Sequence, residues 1–286
     1  MADAINIQLL DTYQVPTDAD IRTGKNYVLR REAAANTLAS LVDELLEEAA
    51  EKITALCYKY NVDPNTFTIS YTYNPKLFGE ISEILDRLED EILDLMLEYS
   101  MMCTESEKRR HIILPWILAL GAGGKTLKAI LDNRLWMFSR DLEAMIVTAR
   151  LAKFNETKAI SLIRSFLHTA YAMPGMANAF KKSQSVQATY IRSKGVKRGN
   201  VGSSNSEANN IERLAKTTVQ KTWMRNQWEG YREEGADGFM VFRGSNFDCP
   251  LCDSYCNVFH PIDDWASYPP FHPSCACWTL PIYAKY

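Results

Sequence analysis

Phe247-Asp-Cys-Pro-Leu-Cys252-Asp-Ser-Tyr-Cys-Asn-Val-Phe-His260, followed by Tyr268-Pro-Pro-Phe-His-Pro-Ser-Cys-Ala-Cys277, is the stretch that decides how this chain is closed. Five of the seven cysteines fall in it, Cys249, Cys252, Cys256, Cys275 and Cys277, together with His260 and His272. A Cys-x-x-Cys turn lets two thiolates meet one ion, and a second group of donors further along completes a tetrahedron. In an extended segment Cys275 and Cys277 point to the same side, because side chains alternate along a strand. The start of the chain, Met-Ala-Asp-Ala-Ile-Asn, has no basic region leading into an apolar run, so synthesis and residence in a reducing cytosol are expected. Thiols clustered in that compartment hold a metal more readily than a disulfide.

The expected ligands are Cys249, Cys252, Cys275 and Cys277, with His272 either replacing one thiolate or hydrogen-bonding to one from outside. Spacing does not choose between these arrangements. A structural zinc is expected over a catalytic one, since the tail offers more than enough donors to close the coordination sphere. A redox Cys-x-x-Cys pair or unligated thiols are the alternatives, and neither accounts for the second group of donors. Cys57 and Cys103 sit in apolar helical surroundings and read as core residues.

Upstream of the cysteines, Ile211, Leu214, Ala215, Val219, Trp223 and Trp228 mark a helix from about Ser206 to Glu234. Gly235 and Gly238 stop it, and Phe239-Met-Val-Phe242 reads as a short strand leading into the tail. Further back, Leu38, Val42, Leu46, Ala49 and Ile53 recur at helical spacing from about Arg30 to Tyr60. Asp63-Pro64 breaks that pattern, and Phe67, Ile69, Tyr71 and Tyr73 then alternate with polar residues as in a half-buried strand. Asn74 and Pro75 open a second long helix, which runs to about Met102. Thr104 and Glu107 fit a capping box for a third helix, and helical patterns continue over Leu127 to Leu151 and Thr157 to Ala172.

The fold expected is mainly α, with a small C-terminal α+β zinc-binding module. Its parts are an N-terminal arm over 1–28, a helical body over 29–180, a basic Ser/Gly/Asn-rich loop or linker over 181–210, and the module over 211–286. The loop carries Lys181, Lys182, Arg192, Lys194, Lys197 and Arg198, with no acid before Glu207. A net charge of −3 over 286 residues gives no global reason to expect a polyanion, so only that loop points toward DNA. The composition, 47% hydrophobic and 23% charged, excludes a disordered chain. The apolar run Ile112 to Gly123 falls short of the roughly 20 residues that span a bilayer, so no membrane segment is expected.

Cys249-Pro-Leu-Cys252, Val258-Phe-His-Pro-Ile-Asp-Asp264 and Pro269-Pro-Phe-His-Pro-Ser-Cys-Ala-Cys277, followed by Leu280-Pro281, resemble the C-terminal signature of the phage Mu F-like head morphogenesis proteins. The helix Glu212 to Glu234 resembles that family's approach to its cysteines. The chain departs from the family at Ser274 and Ala276, where Asn and Arg are usual, and at Asn257, where a small residue such as Gly is usual. The resemblance implies a minor head protein that acts beside the portal in procapsid assembly, genome packaging or ejection. It implies the portal, capsid and scaffold proteins as partners, with packaged DNA a further contact for the basic loop. The virion head is then its site, and the host cytoplasm its place of assembly.

No catalytic constellation is expected, so the chain reads as a non-enzyme. Two alternatives carry a test. Ala119-Leu-Gly-Ala-Gly-Gly-Lys125-Thr126 formally fits a phosphate-binding loop, which requires a buried strand leading in and a helix following. Pro115 argues against that strand, and a Gly-rich turn between helices is the preferred reading. A zinc-containing DNA-binding module would use the basic loop and the tail together. His111 and His168 read as ordinary polar positions on helices.

Overall fold

The computed structural model describes residues 13–14, 16–69, 74–119, 125–168, 206–244, 249–272 and 275–285. It is mainly helical with a small C-terminal sheet. The elements are α1 (Asp18–Lys59), α2 (Pro75–Met101), α3 (Glu107–Leu118), α4 (Leu127–Leu151), α5 (Glu156–Phe166), α6 (Glu207–Glu233), β1 (Gly238–Phe242), the short α7 (Pro250–Asp253), β2 (Phe259–Pro261) and β3 (Trp278–Ile282). The basic segment around Arg192 to Arg198 and most of the glycine-rich turn lie outside the described residues.

The chain divides into two compact units. One comprises 1–39, 94–127 and 213–286, and holds the sheet and the cysteines; the other comprises 40–93 and 128–212.

In the first unit, α1 begins within the region expected to be an arm. Thr17 accepts from the Asp20 amide (3.3 Å), while the Asp20 carboxylate accepts from the Thr17 amide (2.7 Å). This reciprocal capping box satisfies amide donors that the first helical turn cannot pair internally, and so starts the helix at Asp18 rather than near Arg30. The arm reading for 18–28 is therefore corrected. At α3, Ser106 is the cap, accepting from the Arg109 amide, and Thr104 accepts from the Ser106 amide instead of forming the expected box with Glu107.

Gly235 ends α6 in the left-handed region (φ +75°), where the missing side chain removes the usual strain. β1 then pairs antiparallel with both neighbours, giving the order β2-β1-β3, with Met240 opposite Phe259 on one side and Leu280 on the other. Phe239, Val241, Met224, Trp228, Tyr231 and Tyr268 form the core under this sheet, in one cluster with Cys252, Cys256, Cys275 and Cys277. Val28 of α1 packs with Trp278 and Leu280 of β3. The Tyr268 hydroxyl is 2.7 Å from the Thr279 Oγ1, and the Tyr231 hydroxyl donates to the Thr279 carbonyl (2.9 Å), so these buried phenols are paired. The Arg225 guanidinium lies over the Trp228 and Trp265 rings and pairs with Glu229.

In the second unit, Val42, Leu46, Ala49, Ile53 and Cys57 of α1 are buried at spacings of three and four. Leu77, Ile81, Leu88 and Ile92 of α2 and Leu131, Leu135, Phe138, Leu142 and Ile146 of α4 are buried in the same rhythm. Asn74 caps α2 as the sequence predicts, accepting from the Leu77 amide (3.1 Å), and Asn155 caps α5. The expected strand is absent over its described part, 66–69. There the Ile69 amide and the Thr68 hydroxyl donate to Glu143 of α4 (2.6 and 3.0 Å), which occupies a backbone donor that a partner strand would have used. Residues 70–73 of that segment lie outside the described residues.

No helix among the described residues is long and apolar enough to cross a membrane.

Candidate metal centre

The Cys-x-x-Cys turn is built by its proline. Pro250 occupies the first position of α7, where its fixed φ suits a helix start and its missing N–H costs nothing. The Asp253 amide donates to the Cys249 carbonyl (2.9 Å) and the Cys256 amide to the Cys252 carbonyl (3.1 Å), winding all three cysteines onto one tight segment. Asn257 then turns the chain with a positive φ of 61° and donates its amide to the Val241 carbonyl. Asparagine is among the few side chains that tolerate this conformation.

The second group of donors arrives from the loop before β3. Tyr255 and Phe271 stack with centroids 4.3 Å apart, which sets the chain direction next to His272. The His272 Nε2 lies 3.4 Å from the Cys249 Sγ and 3.2 Å from the Cys252 Sγ, and the Cys252 and Cys275 sulfurs are 3.9 Å apart. Two sets of three donors share Cys252: Cys249, Cys252 and His272, and Cys252, Cys275 and Cys277, with all donor atoms in each set within 4.8 Å of one another.

Within each set these separations are compatible with a metal of zinc's size. Tetrahedral geometry with Zn–S of about 2.3 Å and Zn–N of about 2.0 Å places sulfurs about 3.8 Å apart and a nitrogen about 3.5 Å from a sulfur. Burial, and then the neighbouring Cys275 thiol, push the Cys252 thiol far above its ordinary range. A hydrogen bond with Cys277, and then burial, push Cys275 up likewise. A divalent cation offsets this cost by binding the thiolates directly. The cluster can hold a metal ion.

The expected site residues thus come together, but their arrangement differs in emphasis from the sequence reading. His272 is in the donor layer, facing two sulfurs. Cys277 faces both the donor cluster and Cys256; a hydrogen bond between the latter two lowers Cys256 and raises Cys277. His260 is engaged elsewhere, with Nε2 3.0 Å from the Tyr255 carbonyl and its ring stacked on Phe239. Cys57 is a buried residue of α1 as expected, whereas Cys103 is half-buried in the turn after α2; burial pushes both thiols up to about 12.

Sequence reasoning missed two features of the first unit. One is Gly244: a Cβ there would stand 1.7 Å from the Ala276 carbonyl oxygen, so the chain after β1 touches the backbone between Cys275 and Cys277. The other is Arg31, which is fully buried and donates to the carbonyls of Cys275 (3.1 Å) and Cys277 (3.3 Å). No local pattern marks either contact, since each joins segments far apart in the chain.

In the second unit His168, expected on a helix, lies in the turn after α5. Its Nε2 is 2.7 Å from an Asp43 oxygen, and its Nδ1 is 2.9 Å from the Asn209 Oδ1 and 3.3 Å from Glu212. The Glu212 contact, with the Asn209 hydrogen bond and the Asp43 charge, raises it to about 9, marking an imidazolium held between carboxylates.

At the glycine-rich turn, the segment His111 to Leu118 belongs to α3 and is helical, not the strand that a phosphate-binding loop requires. Comparison with protein-family models, with curated proteins and with solved structures gives no match.

Proposed function

We propose that this chain is a non-enzymatic structural component of a tailed-phage head, acting beside the portal in procapsid assembly or in genome packaging and ejection. In this reading its C-terminal module is closed by one structural zinc ion. The observation that supports this is that Cys249, Cys252 and His272 form one donor set and Cys252, Cys275 and Cys277 another, joined at Cys252, since these are the residues that carry the Mu F-like resemblance. Cys249, Cys252 and His272 would supply three ligands and Cys275 the fourth, with Cys277 beside the site. Zinc bound there supplies a crosslink between the α7 turn and the segment entering β3, and no chemistry on a substrate. That crosslink holds together a three-stranded sheet that is small for independent stability.

Portal, capsid and scaffold proteins are the proposed partners, and the virion head the proposed location, with packaged DNA a salt-sensitive contact of the basic loop. The alternative of nucleotide binding is disfavoured by the helical lead-in to the glycine-rich turn.

The test is co-expression with the cognate portal, scaffold and capsid proteins, followed by particle purification, mass spectrometry and zinc analysis. The expected result is particles that contain the chain with about one zinc per copy. Particles that form normally and never contain it would overturn the head assignment. A purified chain without metal would overturn the zinc assignment alone.

A further inference from the structure

We propose that Arg31, on α1, is a positioning residue for the metal centre: its guanidinium holds the Cys275–Cys277 backbone in ligand geometry. The inference rests on the zinc reading above.

Arg31 has no exposed surface. A guanidinium stays charged in proteins, so its burial needs both partners and a counter-charge. Every polar contact of its head is directional. Nη2 donates to the Cys275 carbonyl (3.1 Å) and Nη1 to the Cys277 carbonyl (3.3 Å), while Nη1 also approaches the Met224 sulfur (2.7 Å). Nε donates to Glu32 (2.9 Å), and Gln220 in turn donates to both oxygens of that carboxylate (3.0 and 2.9 Å).

The two carbonyls grasped are those of alternate residues, Cys275 and Cys277, which are the residues whose thiols enter the donor cluster. Fixing carbonyls at both positions fixes the rotation of the segment between them, and with it the direction in which the sulfurs point. The planar fork of arginine spans two acceptors in one rigid geometry, whereas an ammonium is a single point of attachment.

The counter-charge is Glu32, whose Oε1 lies 2.9 Å from both Nε and Nη2. Paired in this way the guanidinium stays charged while buried, and its remaining donors are aimed at the two carbonyls.

The experiment uses the full-length chain as wild type, Arg31→Lys and Arg31→Met, with Leu38→Ala as a control. Leu38 is a fully buried residue of the same helix and makes no contact with the Cys275–Cys277 carbonyls through hydrogen bonds. Cobalt(II) replaces zinc as the probe: its visible bands report ligand number and geometry, and competition with a chromogenic chelator gives affinity. Both Arg31 variants are expected to lose about tenfold or more in metal affinity and to show altered cobalt bands, with lysine the milder. Leu38→Ala is expected to melt earlier while keeping the wild-type cobalt spectrum.

Wild-type affinity and spectrum in Arg31→Lys overturn the inference, and so does the same spectral change in Leu38→Ala. The lysine variant decides the matter if Arg31→Met does not fold. A wild-type chain that takes up neither zinc nor cobalt overturns the zinc reading itself, which separates the two failures.

Discussion

Replacing Gly244 with alanine tests whether the metal centre depends on a backbone contact outside its ligands. The new Cβ would stand 1.7 Å from the Ala276 carbonyl oxygen and 2.5 Å from its carbon. The two chains must separate by about 1.3 Å to reach the 3.0 Å that real Cβ contacts respect. Metal–ligand distances tolerate only about 0.2 Å. Ala276 lies between Cys275 and Cys277, so a shift of that size cannot be absorbed without moving at least one sulfur. Overpacking of this kind costs about 1–3 kcal/mol of stability. Metal affinity is expected to fall about 10- to 100-fold, as when a group supporting the ligands is lost. The assay is zinc release to a chromogenic chelator, read beside a thermal melt. Gly79→Ala serves as the control, because its Cβ meets nothing within 4 Å in the second turn of α2 and alanine favours a helix by about 1 kcal/mol. If Gly244→Ala holds zinc as tightly as wild type, the argument from backbone contact is refuted.

Four further outcomes are expected. Cys249→Ser and His272→Gln should each lose bound zinc while far-UV circular dichroism keeps its helical signal; full metal content in His272→Gln would return the histidine to a supporting place. Thr17→Ala removes the capping box that starts α1 and should cost about 1 kcal/mol, with faster amide exchange confined to the first turns; unchanged exchange would mean that the box does not set the helix start. Phe239→Ala empties a fully buried site against His260 and Tyr268 and should cost about 3–5 kcal/mol in urea unfolding, so a loss below about 1 kcal/mol would contradict the core assignment. His168 is raised from 6.5 to about 9, so its stabilisation should be fully present below about pH 6.5 and lost as pH rises through about 9; His168→Gln should remove that slope, and equal slopes in the two proteins would show that the carboxylates do not hold the imidazolium.

The sequence by itself determined the elements whose signals are local. The α1, α2 and α4 stripes follow from apolar residues three and four apart, because 3.6 residues per turn puts them on one face whatever surrounds the helix. The Asn74 cap and the Gly235 stop are local in the same sense, each set by one residue's own backbone chemistry. The donor list Cys249, Cys252, His272, Cys275 and Cys277 was legible because metal-binding side chains are few and their spacing within each group is short. The start of α1 was legible too, in Thr17-Asp-Ala-Asp20, a capping box that lies inside the stretch expected to be an arm.

Tertiary structure alone decided the rest. The alternation over Phe67 to Tyr73 satisfies a strand pattern, yet the Ile69 amide goes to Glu143, a residue 74 positions away. Whether a segment joins a sheet depends on a partner offering acceptors, and period-two spacing does not supply one. In the same way, spacing did not say which thiols His272 meets, and the fold brings its Nε2 within 3.4 and 3.2 Å of the Cys249 and Cys252 sulfurs. Arg31 reads in the sequence as one charged position on an amphipathic helix. Its burial against carbonyls about 245 residues away comes from chain closure, which brings the first unit's α1 against the segment entering β3, and no local pattern encodes such a contact.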